Sequence, residues 1–159
     1  MGKEINMSKR SRSTSNLKEK SLNYDLDIVI PVYGNLPLLK KTVDALPDAC
    51  GSVKYKLTIV DNNSPLAVPS QKEFMTMEVF HNLYDEIKTK CDYFIQNKEN
   101  LGFPLACNAG FRRGRANYVF FLNSDCIMNP GSIELLVNKM KEDTSLGIVA
   151  PMLLFPTDE

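Results

Sequence analysis

Four apolar runs of this chain break into polar residues of the types that bind cations, anions and nitrogen-rich rings. "DIVIP" gives way to "VYGN", "TIV" to "DNNSP", "YFIQ" to "NKENLGF", and "YVFFL" to "NSDC". Asp125 is the most pointed of these. A carboxylate beside Asn123 and Ser124 at the end of a buried run offers hard oxygen ligands to a divalent ion that also takes diphosphate oxygens. The competing role is a cap for the turn ahead of "NPGS". Asp61 follows a buried run too, and can accept from a ligand N–H while Asn62, Asn63 and Ser64 hold the loop. Taken alone, turn chemistry explains Asp61 better.

Asn100 and Gly102 precede a helical stretch, where glycine permits close backbone approach and open N–H groups face an anion, diphosphate being the natural candidate. The chain has no GxGxxG and no Walker lysine, so neither a dinucleotide fingerprint nor a P-loop is supported. Arg112, Arg113 and Arg115 are read as a solvated face that compensates a helix dipole rather than as a phosphate clamp.

These residues need a scaffold that delivers all four breaks to one place. "LDIVIPVY" is β-branched and continuous, as expected of a strand covered on both faces. A helix follows through "NLPLLKKTVDAL", with Asn35 as N-cap, Pro37 in the first turn and an end before Pro47. "YKLTIVD" reads as a second strand. Phe74, Met77, Phe80, Tyr84 and Ile87 place a helix within residues 70 to 89, with His81 beside its apolar stripe. A third strand at Tyr93 to Gln96, a helix through "LACNAGFRRG", a fourth strand in "NYVFFLNSD", a helix from "SIELLVNKMKED" capped by Ser132, and a last strand in "LGIVAPMLLF" complete the pattern.

Alternation of this kind predicts a three-layer α/β sandwich with a mostly parallel central sheet. In such sheets ligands bind beyond the carboxyl ends of the strands, near the point where strand order reverses. The four polar breaks are therefore expected along one edge.

Nineteen basic and nineteen acidic side chains cancel, so no whole-molecule field favours nucleic acid or an anionic membrane. Cys50, Cys91, Cys107 and Cys126 are widely spaced, without a CxxC pair, and read as small buried hydrophobes in a reducing compartment. No apolar stretch is long enough for a signal peptide or a membrane span, which points to a cytoplasmic protein, free or peripheral at the inner face of the membrane. Residues 1–24 are basic and serine-rich and are expected to form a disordered tail. The start is similar to a myristoylation signal but has Asn6 where Ser or Thr is needed.

"DIVIPVYGN", "TIVDNNSP", "NKENLGFPLACNAGF" and "YVFFLNSDCIM" stand in the order and spacing of the family 2 glycosyltransferases with the GT-A fold, and the chain resembles their rhamnosyltransferase-like branch from residue 26 to about 155. The resemblance implies a nucleotide-sugar site. Pro31, Val32 and Tyr33 would line the base pocket and Asp61 would receive the base. Asn100, Gly102 and Phe103 would lie along the nucleotide, and Asn123 and Ser124 would also bind it. Asn123 and Asp125 match the ends of the family's DxD motif, which holds Mg or Mn against the diphosphate. Asparagine at the first position removes one negative charge, so Asp125 would carry most of the ion.

The family usually continues beyond the segment matching "PMLLFP" with an acceptor part that supplies the catalytic base. The expectation is therefore a GT-A nucleotide-sugar-binding domain over residues 25–159, lacking that acceptor part, with no base to nominate. The implied activity is transfer of a sugar from a nucleotide-diphosphate donor to a saccharide or lipid-linked acceptor hydroxyl. The alternative is a non-catalytic binding module, and exposed apolar surface leaves a homo-oligomer open.

Overall fold

A computed structural model of the protein describes residues 23–65 and 76–154. The elements run β1 (Leu26–Val32), α1 (Leu36–Cys50), β2 (Tyr55–Asp61), α2 (Met77–Thr89), β3 (Tyr93–Gln96), α3 (Phe103–Arg113), β4 (Tyr118–Phe121) and α4 (Ser132–Glu142). The strands form one parallel sheet in the order β3-β2-β1-β4.

The two-residue period of β1 sorts its side chains between two helical layers. Leu26, Ile28, Ile30 and Val32 join Leu57 and Ile59 of β2 beneath α1, α2 and α4, which contribute Leu39, Val43, Leu46, Tyr84, Ile87, Ile133 and Val137. Val29 and Val60 face the other way, against Ala106 of α3. The expected three-layer sandwich is present. Because β1 is buried along its whole length, its sequence shows a continuous apolar run instead of alternation.

Asn35 caps α1 as expected, accepting the Leu38 N–H at 3.4 Å, with proline in the first turn. The helix does not stop before Pro47. It runs on to Cys50, and the Pro47 carbonyl accepts from Gly51 N. An interior proline forfeits one backbone bond. Leu46, Ala49 and Cys50 are at most 1 % exposed, and their burial in the last turn offsets that loss.

Ser132 does not cap α4 either. The N-cap is Gly131 at φ 73°, and the Ser132 hydroxyl donates instead to the Asn129 carbonyl at 2.7 Å. The last expected strand, "LGIVAPMLLF", forms no strand among the described residues up to 154, and Ile148, Met152, Leu153 and Leu154 are exposed. Among the described residues no strand pairs with the outer side of β4. Between that free edge, α4 and residues 147–153 lies an apolar groove of about 580 Å³.

The expected tail over residues 1–24 falls almost entirely outside the described residues, as does Phe74. No helix among the described residues is long and apolar enough to cross a membrane.

The four cysteines are free, and burial raises the thiol pKa of each, that of Cys50 to about 12. A thiol held protonated in the folded state and released on unfolding makes stability fall as pH rises above its ordinary value of 9.0. Above pH 9 we expect Cys50 to remove about 1.4 kcal/mol of stability per pH unit. Denaturant melts of the wild type and Cys50→Ala between pH 8 and 11 would check this, the variant losing that share of the slope.

Candidate functional site

β1 is paired with β2 on one side and β4 on the other, so the strand order reverses between β1 and β4. Parallel pairing brings Val32 level with Asp61 and Asp61 level with Gln96, and Leu122 N donates to Val29 O just beyond β4. All four polar breaks consequently leave the sheet at its carboxyl edge. Three are joined there by direct hydrogen bonds.

From the first break, Gly34 N donates to Ser64 Oγ at 2.8 Å. Ser64 N in turn donates to Asp61 Oδ1 at 2.9 Å, closing the turn that "DNNSP" suggests. Asn62 spans to the third break: its Nδ2 donates to the Gly102 carbonyl at 3.2 Å, and its Oδ1 accepts from Asn97 Nδ2 at 2.7 Å. Asn100 Oδ1 accepts from Gly102 N at 2.9 Å. The fourth break is tied to α1, where buried Thr42 donates its hydroxyl to the Ser124 carbonyl at 3.0 Å.

Within this rim the candidate residues differ in what they offer. Pro31 and Val32 are buried, and the Val32 carbonyl accepts from Asn62 N, so of the first break only the Tyr33 ring, half exposed, stands open. Asp61 is 1 % exposed with both carboxylate oxygens engaged, Oδ1 by Ser64 N and Oδ2 by the Tyr84 hydroxyl at 2.6 Å. Asn100 and Phe103 are exposed. Pro104 has no N–H, so the amides open at the start of α3 are those of Phe103 and Leu105. Asn123 and Asp125 are exposed and Ser124 is half-buried. The Asp125 carboxylate meets no Lys, Arg or His among the described residues; its one bond is a long contact from the Cys126 thiol at 3.8 Å.

The described residues contain no group of three or more His, Cys, Asp and Glu able to hold a metal. Asp125 with Asn123 matches the sparser arrangement of a hard cation bound through one carboxylate, with the remaining positions taken by water and phosphate oxygens.

Two other sequence readings can be placed. Arg112 and Arg113 lie in the last turn of α3, at the far end of the helix from Gly102, where they suit the helix dipole and Arg113 stacks over Tyr93 at 4.7 Å. His81 is exposed on α2, with Nδ1 against the Met77 carbonyl.

Gly102 is required by its backbone. Its φ is 80°, while an added Cβ would meet only Pro104 Cδ at 4.0 Å. Gly102→Ala is expected to cost about 1–3 kcal/mol, because φ 80° with ψ 165° is a backbone region that essentially only glycine occupies. A chemical melt would measure it, and a loss below about 0.3 kcal/mol would contradict the conformational account.

Sequence reading gave Asn62 a part in holding its loop but not its span to the third break, and it missed the role of Tyr84. Asn62 is 4 % exposed and satisfied at both ends of its amide. Tyr84 sits in the apolar stripe of α2, where periodicity marks it as core. Its phenol was the available signal, since a buried tyrosine hydroxyl needs a partner.

The family model for glycosyl transferase family 2 matches residues 27–155. The chain belongs to glycosyl transferase family 2. Among curated relatives, this family 2 chain is 25% identical over 141 residues to the minor teichoic acid biosynthesis protein GgaB of Bacillus subtilis, covering 87% of the chain and 15% of GgaB. It is 27% identical over 121 residues to the poly(ribitol-phosphate) beta-N-acetylglucosaminyltransferase TarP of Staphylococcus aureus, covering 76% of the chain and 34% of TarP. The chain thus spans about a third or less of these relatives.

Two solved structures share the fold. S. aureus TarS 1-349 in complex with UDP-GlcNAc aligns with TM-score 0.55 at 15% identity, over 74% of this chain and 31% of that one. The mannosyltransferase PcManGT of Pyrobaculum calidifontis, in complex with GDP-Man and Mn2+, aligns with TM-score 0.55 at 17% identity, over 76% of this chain and 32% of that one. Such neighbours identify the family 2 sheet as the GT-A arrangement.

Proposed function

We propose that the rim is the donor site of a glycosyltransferase that moves a sugar from a nucleotide diphosphate to an acceptor hydroxyl. The observation that carries this is the joining of three loop ends beside the β1–β4 reversal, with an uncompensated carboxylate, Asp125, on its other flank. Family membership supports it, as do fold neighbours holding UDP-GlcNAc and GDP-Man.

In this arrangement Tyr33 and Asp61 receive the base, Pro31 and Val32 brace the loop beneath it, and the Asn100–Phe103 turn runs along the nucleotide. Gly102 lets the backbone approach the diphosphate, and the open amides at the start of α3 face its charge. Asn123 and Ser124 contact the nucleotide from the β4 side. Asp125, aided by Asn123, holds a Mg or Mn ion. When bound, that cation offsets the charge that gathers on the departing diphosphate. The acceptor is a saccharide or a lipid-linked hydroxyl, and none of the described residues is assigned as the base that deprotonates it.

A thermal-shift series of uridine, thymidine and guanosine diphosphates, with and without manganese, tests the assignment. A ligand at a hundred times its Kd adds about 2.7 kcal/mol. For a chain of this size that is a rise of several degrees. Absence of a shift with every nucleotide would defeat the proposal, and a shift indifferent to manganese would remove the metal from it.

A further inference from the structure

The turn that carries Asp125 is tied to α1. Thr42 is 0 % exposed, on the face of α1 that buries Leu39, Val43 and Leu46, and its hydroxyl donates to the Ser124 carbonyl at 3.0 Å, 82 residues away. A threonine inside a helix commonly turns its hydroxyl back to the carbonyl one turn earlier. Here the hydroxyl reaches out of the helix, to the loop that follows β4.

Ser124 O and Asp125 N belong to one planar peptide unit. Fixing that oxygen limits the rotation of the unit, and with it the direction in which the Asp125 side chain leaves the backbone. Among the described residues no other hydrogen bond reaches this unit. Its neighbours are held: Leu122 N donates to Val29 O at 3.0 Å, Cys126 N donates to Asn123 O at 3.2 Å, and Leu122 and Met128 are buried on either side. Exposed Asn123 and Asp125 therefore stand on a short span between buried anchors, tethered in the middle by Thr42. The tether starts from a rigid element, since α1 is capped by Asn35 and packed into the core. Water does not compete for a hydroxyl with no open surface.

We infer that Thr42 is a positioning residue: its bond to the Ser124 carbonyl holds the turn so that Asn123 and Asp125 meet the cation together. This rests on the proposal that those two residues hold the metal, and extends it to a buried residue that touches neither nucleotide nor ion.

Calorimetric titration of UDP and of GDP, each with and without manganese, into the wild type, Thr42→Val, Thr42→Ser, Val43→Ala and Asp125→Ala tests the assignment. The readout is the manganese effect, the ratio of the nucleotide affinities with and without the ion. Thr42→Val keeps the volume and loses the donor. It should cut the manganese effect about tenfold, the scale on which groups that orient metal ligands act, and leave the manganese-free affinity unchanged. Thr42→Ser keeps the donor and loses a methyl group, so the effect should survive although the protein melts lower. A role confined to packing predicts the reverse order, because valine fills the space of threonine and serine does not. Val43→Ala truncates the core on the same helix and should lower the melting temperature without changing the manganese effect.

If neither nucleotide binds, if manganese adds nothing to the wild type, or if Asp125→Ala leaves the effect whole, the donor-site reading falls and this inference with it. If Asp125→Ala removes the effect and Thr42→Val does not, the metal assignment stands and the role of Thr42 is overturned. An equal loss in Thr42→Ser or Val43→Ala overturns it too, since the effect then follows packing. Should Thr42→Val not fold, Thr42→Cys places a weaker donor in the same space, and a manganese effect equal to that of the wild type would overturn the inference.

Discussion

Asp125→Ala is expected to erase the manganese-dependent part of nucleotide-diphosphate binding while the unliganded protein melts within about 0.5 kcal/mol of the wild type. Both halves follow from the surroundings of residue 125. Its carboxylate is exposed, lies in a turn, and bonds only to the neighbouring Cys126 thiol, so the fold loses little when it is removed. No cationic side chain among the described residues neutralises it, so a bound ion would meet its full charge.

Where turnover of a nucleotide sugar is measurable, the same change should lower it by about 10²- to 10³-fold, the usual result of deleting one preorganised contact to developing charge. Asn123→Asp provides the converse. It adds a second carboxylate two residues away and should tighten manganese binding with the nucleotide present. Calorimetry with UDP, with and without manganese, reads both variants. Undiminished manganese dependence in Asp125→Ala would move the metal elsewhere.

How far this site is legible in the sequence depends on whether each signal is local. β1 and β2 are plain from apolar runs that stop at polar clusters, and parallel pairing then forces those clusters to one edge, so the rim follows from strand order alone. Asn35 is plain too, because an N-cap is settled by its neighbours three residues on. Pro47 misleads, since the burial that carries α1 past it comes from distant residues in the core around β1 and β2. Ser132 misleads for a different reason: Gly131, whose amide donates to the Asp48 carbonyl at 2.9 Å, takes the cap position in a conformation that glycine adopts freely. "LGIVAPMLLF" has strand composition, but a strand exists only when paired. Tyr84 lies 23 residues from Asp61, and no spacing rule connects them.

Gly110→Ala is expected to destabilise the protein by about 1–3 kcal/mol, the cost of forcing a methyl group into a filled core. Gly110 sits on the inner face of α3, buried, where an added Cβ would overlap the Cγ1 of Val29 on β1. Val29 has nowhere to go, because it is fully buried in a strand paired on both sides. Alanine is otherwise the better helix former by about 1 kcal/mol, so a loss in stability would mark the collision and not propensity.

Val29→Ala removes the obstructing methyls. Alone it should cost stability through the cavity it leaves. Combined with Gly110→Ala it should be less harmful than the sum of the two, with a coupling within about 0.5–3 kcal/mol. Denaturant melts of the four proteins complete the cycle, and strict additivity would mean that α3 shifts outward without touching Val29. The distinction bears on the donor site, since the same helix carries Gly102 and its open amides at the rim. An outward shift would strain the Asn62 bond to the Gly102 carbonyl, so additivity in stability should be accompanied by weaker nucleotide binding, and strong coupling by binding that the double variant restores.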